Sequence, residues 1–368
     1  MKTRSLMILA ATCALLLVAA CRSNPNYNPA KSHHTEEGFR NNYPQPARAS
    51  FWKWQWDRWT KGVPEDPKQG YGFPLLKPDA AWLSSNRTEP TLTWIGHASF
   101  LLQVAGVNIL TDPVMSERAS PLSFAGPKRY VQPPFSYETL PHADAVVISH
   151  NHYDHLDLDT VKHLNAQAGG PPMFFVPLGL KAWFAKQGID NVTELDWWDG
   201  ADYKGLRFTL APVQHWSARG LWDRNRTLWG AWVVEHPKLR FFFGGDFGYS
   251  PDLADVGKHF GRFDLALLPI GAYDPRWFMA VMHANPEEAV KAQHDLNARY
   301  AVAMHWGTFR LTDESLDEPP RKLADALAQA HVAPERFIVM KHGETRKLDF
   351  LLDTSSSGAS RQVPSTSR

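Results

Sequence analysis

The sequence predicts an α/β protein built from two mixed β-sheets with helices on the outside. Two observations predict it. From Thr91 onward the chain repeats short apolar runs bounded by Gly, Pro and Asp, among them "ADAVVIS", "MFFVP", "LRFTLAPVQ", "LWGAWVVEH", "LRFFFGGD", "LALLPIGA", "YAVAMHW" and "RFIVMK", which suit buried strands. Few of the intervening segments carry a helical pattern, so there are too few crossovers for one all-parallel sheet. Of the 368 residues, 43% are hydrophobic, enough for a sizeable core. A net charge of +1 gives no basic face for nucleic acid.

The elements follow in order. Lys2 and Arg4 precede an apolar stretch from Leu6 to Ala20 that ends in "LVAAC". This stretch is short for a membrane span and resembles a bacterial lipoprotein signal over residues 1–21, in which Cys21 becomes the lipid-bearing N-terminus. Arg22, where Asp would retain the protein at the inner membrane, favours the outer membrane of the cell envelope, facing the periplasm. With Cys13 in the removed segment, Cys21 is the one cysteine left, so no disulfide is expected. Residues 22–50 are polar and rich in Pro and Asn, and read as a tether in which His33 and His34 are solvated. The globular domain spans 51–353. It opens with "FWKWQWDRWTKG", where aromatics mixed with cations suit a membrane interface. "TLTWIGHASFLLQV" and "VNILTD" read as two strands joined at Ala105-Gly106. A helix capped at Asp157 runs through Val161 and Leu164, and further helices fit "LGLKAWFAKQG" and "NPEEAVKAQHDLNA". In the last of these, Asn285, Pro286 and Glu288 form a capping box. Residues 354–368 read as a disordered tail.

One stretch carries chemistry. "VVISHNHYDHLD" places His150, His152, Asp154 and His155 in one loop after a buried strand. Imidazole and carboxylate are zinc ligands. His150 and His152 can aim at one ion, and Asp154 and His155 at a second. One loop cannot complete two coordination shells, so further ligands are required where other strands end. His215 in "APVQHW", Asp246 in "FFFGGD" and His305 in "AVAMHW" stand in such places. The set is therefore His150, His152 and His215 on one ion, Asp154, His155 and His305 on the other, and Asp246 bridging them. The two glycines before Asp246 are expected to let the backbone turn sharply.

The H-x-H-x-D-H cluster with its later His, Asp and His resembles the signature of the metallo-β-lactamase fold. The longer blocks "ISHNHYDHLD", "PVQHWSARGLWDRNRTLWGAW", "PIGAYDPRWFMAVMHANPEEAV" and "MHWGTFRLTDESLDEPP" resemble the N-acylphosphatidylethanolamine-hydrolysing phospholipase D branch. The resemblance covers about residues 90–345. It implies a four-layer αβ/βα sandwich holding two Zn2+ ions at one edge. It also implies cleavage of a phospholipid phosphodiester to an N-acylethanolamine and phosphatidic acid. The chain departs from that branch at Phe247, where a Thr is expected after the bridging Asp, and at Met282, where a more polar residue is expected.

Expulsion of an alkoxide calls for a proton donor. Asp154 and His283 are the candidate catalytic residues, Asp154 being compromised as an acid by its ligand role. Asp112 is expected to hydrogen-bond a ligating His. His97 either faces the site or packs beneath it, and Tyr153 either meets substrate or plugs the loop. Trp216, Trp222, Trp277 and Phe278 are candidates for an acyl-chain groove. His142, His163, His236, His259, His294, His331 and His342 are expected in solvent. The partners expected are a phospholipid substrate and, through the lipid anchor, a membrane surface; a homodimer stays open. Two other readings remain: another hydrolase on this scaffold, such as a sugar-phosphate lactonase or a general phosphodiesterase, and a non-catalytic envelope lipoprotein stabilised by metal.

Overall fold

The central strands are almost wholly buried, yet their apolar side chains still sort by the two-residue period of a strand. Phe100 and Leu102, Ile109, Ala145 and Val147, and Phe175 point into one core. Their neighbours Leu101, Leu110, Val146 and Ile148, and Phe174 and Val176 point into another. A sheet covered on both faces gives such uninterrupted apolar runs.

The computed structural model describes residues 23–47 and 49–352. The expected signal at 1–21 and the expected tail at 354–368 lie outside the described residues. Among the described residues the first elements are a hairpin of β1 (His34–Thr35) and β2 (Gly38–Phe39), followed by α1 (Phe51–Lys61) and α2 (Ala80–Ser85). Then come β3 (Thr91–Gly96), β4 (Ser99–Val104), β5 (Val107–Thr111), β6 (Ala145–Val147), α3 (Leu158–Asn165), β7 (Met173–Pro177), α4 (Lys181–Ala185) and β8 (Val192–Leu195). The second half holds β9 (Gly200–Tyr203), β10 (Leu206–Ala211), β11 (Ala231–His236), β12 (Leu239–Phe243), α5 (Asp252–Phe260) and β13 (Phe263–Pro269). It ends with α6 (Arg276–Met279), α7 (Pro286–Asp295), β14 (Ala298–Met304), α8 (Glu318–Gln329), β15 (Phe337–Ile338), β16 (Thr345–Lys347) and α9 (Asp349–Leu352).

The strands form two seven-stranded sheets, ordered β16-β3-β4-β5-β6-β7-β8 and β15-β14-β13-β12-β11-β10-β9. Each is mixed. In the first, pairing is antiparallel from β16 to β5 and parallel from β5 to β8. In the second, it is parallel from β15 to β12 and antiparallel from β12 to β9. The sheets face each other across the larger core, where the Phe175 and Phe208 rings stack at 4.2 Å. Leu83 of α2, Val161 and Leu164 of α3 and Phe184 of α4 cover the outer face of the first sheet. Helix α7 packs on β13 and β14 of the second. The chain therefore has the expected α/β sandwich. The capping box of α7 is present, with Glu288 N–H donating to Asn285 Oδ1 at 2.8 Å and Asn285 N–H to Glu288 Oε2 at 3.1 Å.

Three expectations need correction. Residues 91–104 are two strands, because the chain reverses at His97-Ala98 and Gly96 pairs with Ser99. Within 22–50 the described residues do not form a loose tether. Phe39 is in the core, and His33 and His34 are buried, with their Nε2 atoms 2.7 and 2.9 Å from Asp196. The neighbouring "DWW" supplied the missing partner: Asp196 also accepts from Lys31 at 2.6 Å, and Trp197 stacks on His33. His342 is likewise buried, stacked 4.1 Å from Trp94 with its Nε2 3.1 Å from Thr308 Oγ1.

Candidate metal centre

Strands β3, β5, β6, β12 and β14 deliver His97, Asp112, the 149–155 loop, Asp246 and His305 to one edge of the sandwich; His215 arrives beyond β10. Backbone geometry helps. His97 (φ 56), Asp112 (φ 32) and His305 (φ 63) are all in the left-handed region, costing about 1–3 kcal/mol each. The turn sends each side chain inward instead of continuing the strand. Gly245 (φ +57) does the same before Asp246, and a Cβ there would lie 2.4 Å from Ser149 Cβ. Gly244 serves differently: its missing Cβ would sit 2.8 Å from the Phe247 ring. Only one of the two glycines is needed for the turn itself.

Asp112 supports one ligand of each triad from below, His155 directly and His150 through Ser149. It accepts from Ser149 N (2.7 Å), Ser149 Oγ (2.5 Å) and His155 Nδ1 (2.6 Å). With its proton given to Asp112, Ser149 Oγ accepts from His150 Nδ1 at 2.9 Å. His215 Nδ1 donates to the Met282 carbonyl at 2.8 Å. In all three rings Nδ1 is engaged, so Nε2 faces the interior, an arrangement typical of ligating histidines.

The inward atoms converge. His150, His152 and His215 place ring nitrogens within 4.8 Å of one another, and so do Asp154, His155 and His305 together with His97. Asp246 stands between the groups. Its Oδ2 is 3.1 Å from His155 Nε2 and 3.8 Å from His215 Nε2, and its Oδ1 is 3.0 Å from His305 Nε2. Several of these buried atoms lack a hydrogen-bond partner: Nε2 of His155, His215 and His305, and Oδ1 of Asp246; His152 instead turns Nδ1 inward, 2.7 Å from His150 Nε2. Such atoms are costly to bury unmatched. Nitrogen and carboxylate donors gathered around a shared carboxylate suit metal binding.

The electrostatics agree. Burial drives His150 and His215 well below the usual imidazole range and pushes His152 down to about 4, so these rings stay neutral with a lone pair free. For His305, burial is outweighed by Asp246 and the ring is pushed up to about 9. The same contest, won by Asp246 and Asp154, holds His155 well above its ordinary value. His155 in turn overcomes burial to keep Asp154 and Asp246 well below the carboxylate range. Without a cation, the two carboxylates are balanced by protons on His155 and His305.

The remaining candidates sort by contact. Asp112 lies beneath the centre, in contact with His155 and Ser149. His97 lies in the wall, with Nε2 3.1 Å from Asp154 Oδ2. His283 projects into the centre, with Nδ1 3.8 Å from Asp246 Oδ2; burial pushes it down to about 4. Tyr153 turns away. Its hydroxyl donates to the Arg219 carbonyl at 2.8 Å and its ring lies 4.0 Å beneath the Arg219 guanidinium, so it plugs the loop. Arg219 also donates to the Asn151 and Leu156 carbonyls, closing the loop from outside. Asp154 is corrected as a proton donor. Its Oδ2 faces His97, His155 and His305 at 3.1–3.4 Å, and an ionised carboxylate so surrounded only accepts. Phe247 does not border the centre; its ring is buried in the core. Ser149, Arg219 and the Met282 carbonyl were not foreseen, although Ser149 stands directly before the His cluster.

This fold and this cluster define a metal-dependent hydrolase of the metallo-β-lactamase class. A family described as "Beta-lactamase superfamily domain" matches residues 107–306. The chain is 44% identical over 267 residues to N-acyl-phosphatidylethanolamine-hydrolyzing phospholipase D 1 of Caenorhabditis elegans, covering 68% of this chain and 74% of that one. It is 37% identical over 266 residues to the mitochondrial N-acyl-phosphatidylethanolamine-hydrolyzing phospholipase D of Saccharomyces cerevisiae, covering 70% and 56%. An isothiocyanate hydrolase from Delia radicum gut bacteria shares the fold, with a TM-score of 0.55 at 20% identity, covering 70% of this chain and 98% of that one. The chain belongs to the beta-lactamase superfamily and, within it, to the N-acylphosphatidylethanolamine-hydrolysing phospholipase D family.

Proposed function

We propose that the chain is a two-zinc phosphodiesterase that hydrolyses N-acylphosphatidylethanolamine to N-acylethanolamine and phosphatidic acid. The observation that carries the reading is the pair of ligand triads joined by Asp246, in a chain 44% identical to a relative named for that reaction. His150, His152 and His215 would hold one ion and Asp154, His155 and His305 the other. Such ions, when bound, supply an activated water near neutral pH and Lewis-acid stabilisation of phosphoryl charge. Asp246 and Asp154 stay ionised and hold the site's negative charge. Asp112 and Ser149 keep His155 and His150 in the orientation that presents Nε2. His283 is neutral and its Nδ1 is buried without a partner beside Asp246, which suits it to a hydrogen bond with substrate.

Incubating the purified protein with zinc and N-acylphosphatidylethanolamine should release N-acylethanolamine. Turnover of a small lactone with no release from the lipid would overturn the assignment in favour of a lactonase.

The reading includes a membrane location: a chain lipidated at Cys21, held at the outer membrane of a bacterial envelope. Helix α1 supports contact with lipid. Trp52, Trp56 and Trp59 lie one helical turn apart on one face and are 79%, 62% and 77% exposed, whereas Trp54 on the other face is buried against Phe278. Trp side chains favour the bilayer interface. Replacing the three by Ser should weaken vesicle binding of the chain without its first 22 residues; unchanged binding would remove α1 from the reading.

A further inference from the structure

The arm before α1 packs onto the loop that carries His215. We infer that Asn41, in this arm, is a positioning residue of the metal centre and fixes His215 for ligation; this rests on the two-ion reading above.

The geometry is specific. Asn41 Nδ2 donates to the His215 carbonyl at 2.9 Å, and Asn41 Oδ1 accepts from the His215 N–H at 3.0 Å. One carboxamide thus closes a two-bond ring on the backbone of one residue, as a neighbouring strand would. His215 needs this, because it lies past the end of β10, where, among the described residues, pairing is reduced to an isolated bridge between Gln214 and Gly248. The imidazole is then fixed at a second point by the Met282 carbonyl on Nδ1. Backbone and ring are both pinned, and Nε2 is left directed at Asp246.

The arm does not depend on the centre for its own place. His33, His34 and Lys31 fasten on Asp196, the Phe39 N–H donates to the Asn225 carbonyl at 2.8 Å, and Asn42 Nδ2 donates to Asp252 at 2.8 Å. Asn41 is therefore held ready from outside the ligand set, which makes it a support that pre-organises a ligand.

The test compares Asn41→Ala, Asn41→Asp and Asn42→Ala in the purified full chain. Two measurements are made: zinc titration against a chromophoric chelator, and hydrogen exchange of the His215 amide in the chelated protein. Asn41→Ala should weaken one of two zinc sites about 10- to 100-fold, leave the other unchanged, and speed exchange at His215. Asn41→Asp, which keeps the acceptor and loses the donor, should fall between. Asn42→Ala breaks the neighbouring contact to Asp252 and should keep both zinc affinities even if it lowers the melting temperature. Wild-type zinc affinity and wild-type exchange in Asn41→Ala would overturn the inference. Uptake of fewer than two ions by the unaltered chain would sink the two-ion reading instead, and the exchange rate would still decide the role of Asn41.

Discussion

Replacing Asp112 by Asn removes one charge and almost no volume, which isolates the anchoring role. The residue sits at φ 32, and Asn tolerates that region as well as Asp does, so no backbone strain is added. Asp112 accepts three hydrogen bonds, two of them on Oδ2, from Ser149 Oγ and His155 Nδ1. An amide has one acceptor oxygen. Whichever partner faces the new NH2 group loses its acceptor and meets a donor. With the oxygen in the Oδ1 position, on the Ser149 N–H, the NH2 group faces both Ser149 Oγ and His155 Nδ1, and the His155 ring loses a charge-assisted bond worth about 1.5–3 kcal/mol. Denaturant unfolding of the chelated protein should show a loss of that size. Zinc affinity should also fall, by about 10- to 100-fold, because His155 is no longer held with Nε2 inward. Equilibrium titration against a chelator measures the second effect separately from the first. A variant as stable as the parent that also binds zinc as tightly would refute the reasoning, since the ring would then be oriented by packing alone.

His305→Ala removes one arm of the second triad; elemental analysis should find about one ion fewer per chain, with nearly all activity lost, and retained turnover would refute the ligand assignment. Zinc uptake should release protons, because ligation needs the lone pairs of His155 and His305. Both rings keep their protons until pH rises through their raised values, about 9 for His305, so affinity should climb from pH 6 toward pH 9; a flat profile in a proton-release titration would contradict the charge balance. Asp196 is held below the carboxylate range, its burial overcome by His33 and Lys31, so its contribution to arm docking is full above the unfolded value of about 3.9 and fades as pH falls below it. Protease protection of residues 23–47 should drop over that window, and Asp196→Ala should remove the pH dependence.

Ligands and supports were legible to different degrees, for a physical reason. Each proposed ligand stands at or just beyond the end of an apolar strand, so its context is local and the one-dimensional chain displays it. The alternation of buried faces is also local, which is why most of the sheet strands could be found from their apolar runs. The short edge strands β8, β9 and β16 carry polar residues at half-exposed positions and show no such run. The supports are non-local. Asp112 meets His155 across 43 positions and Asn41 meets His215 across 174. No property of "RNNYP" marks Asn41 as facing a backbone that has left its sheet; only the packing of the arm does so. The same blindness misplaced His33 and His34. A polar, Pro-rich stretch reads as solvated unless its partner is known, and here the partner is a single carboxylate more than 160 residues away. Burying two imidazoles is unfavourable until Asp196 accepts from both. Apart from Phe39, the arm is therefore held by matched polar contacts, where the sheets are held by apolar ones. An arm held in that way can carry a side chain to the metal centre without leaving any hydrophobic pattern in its sequence.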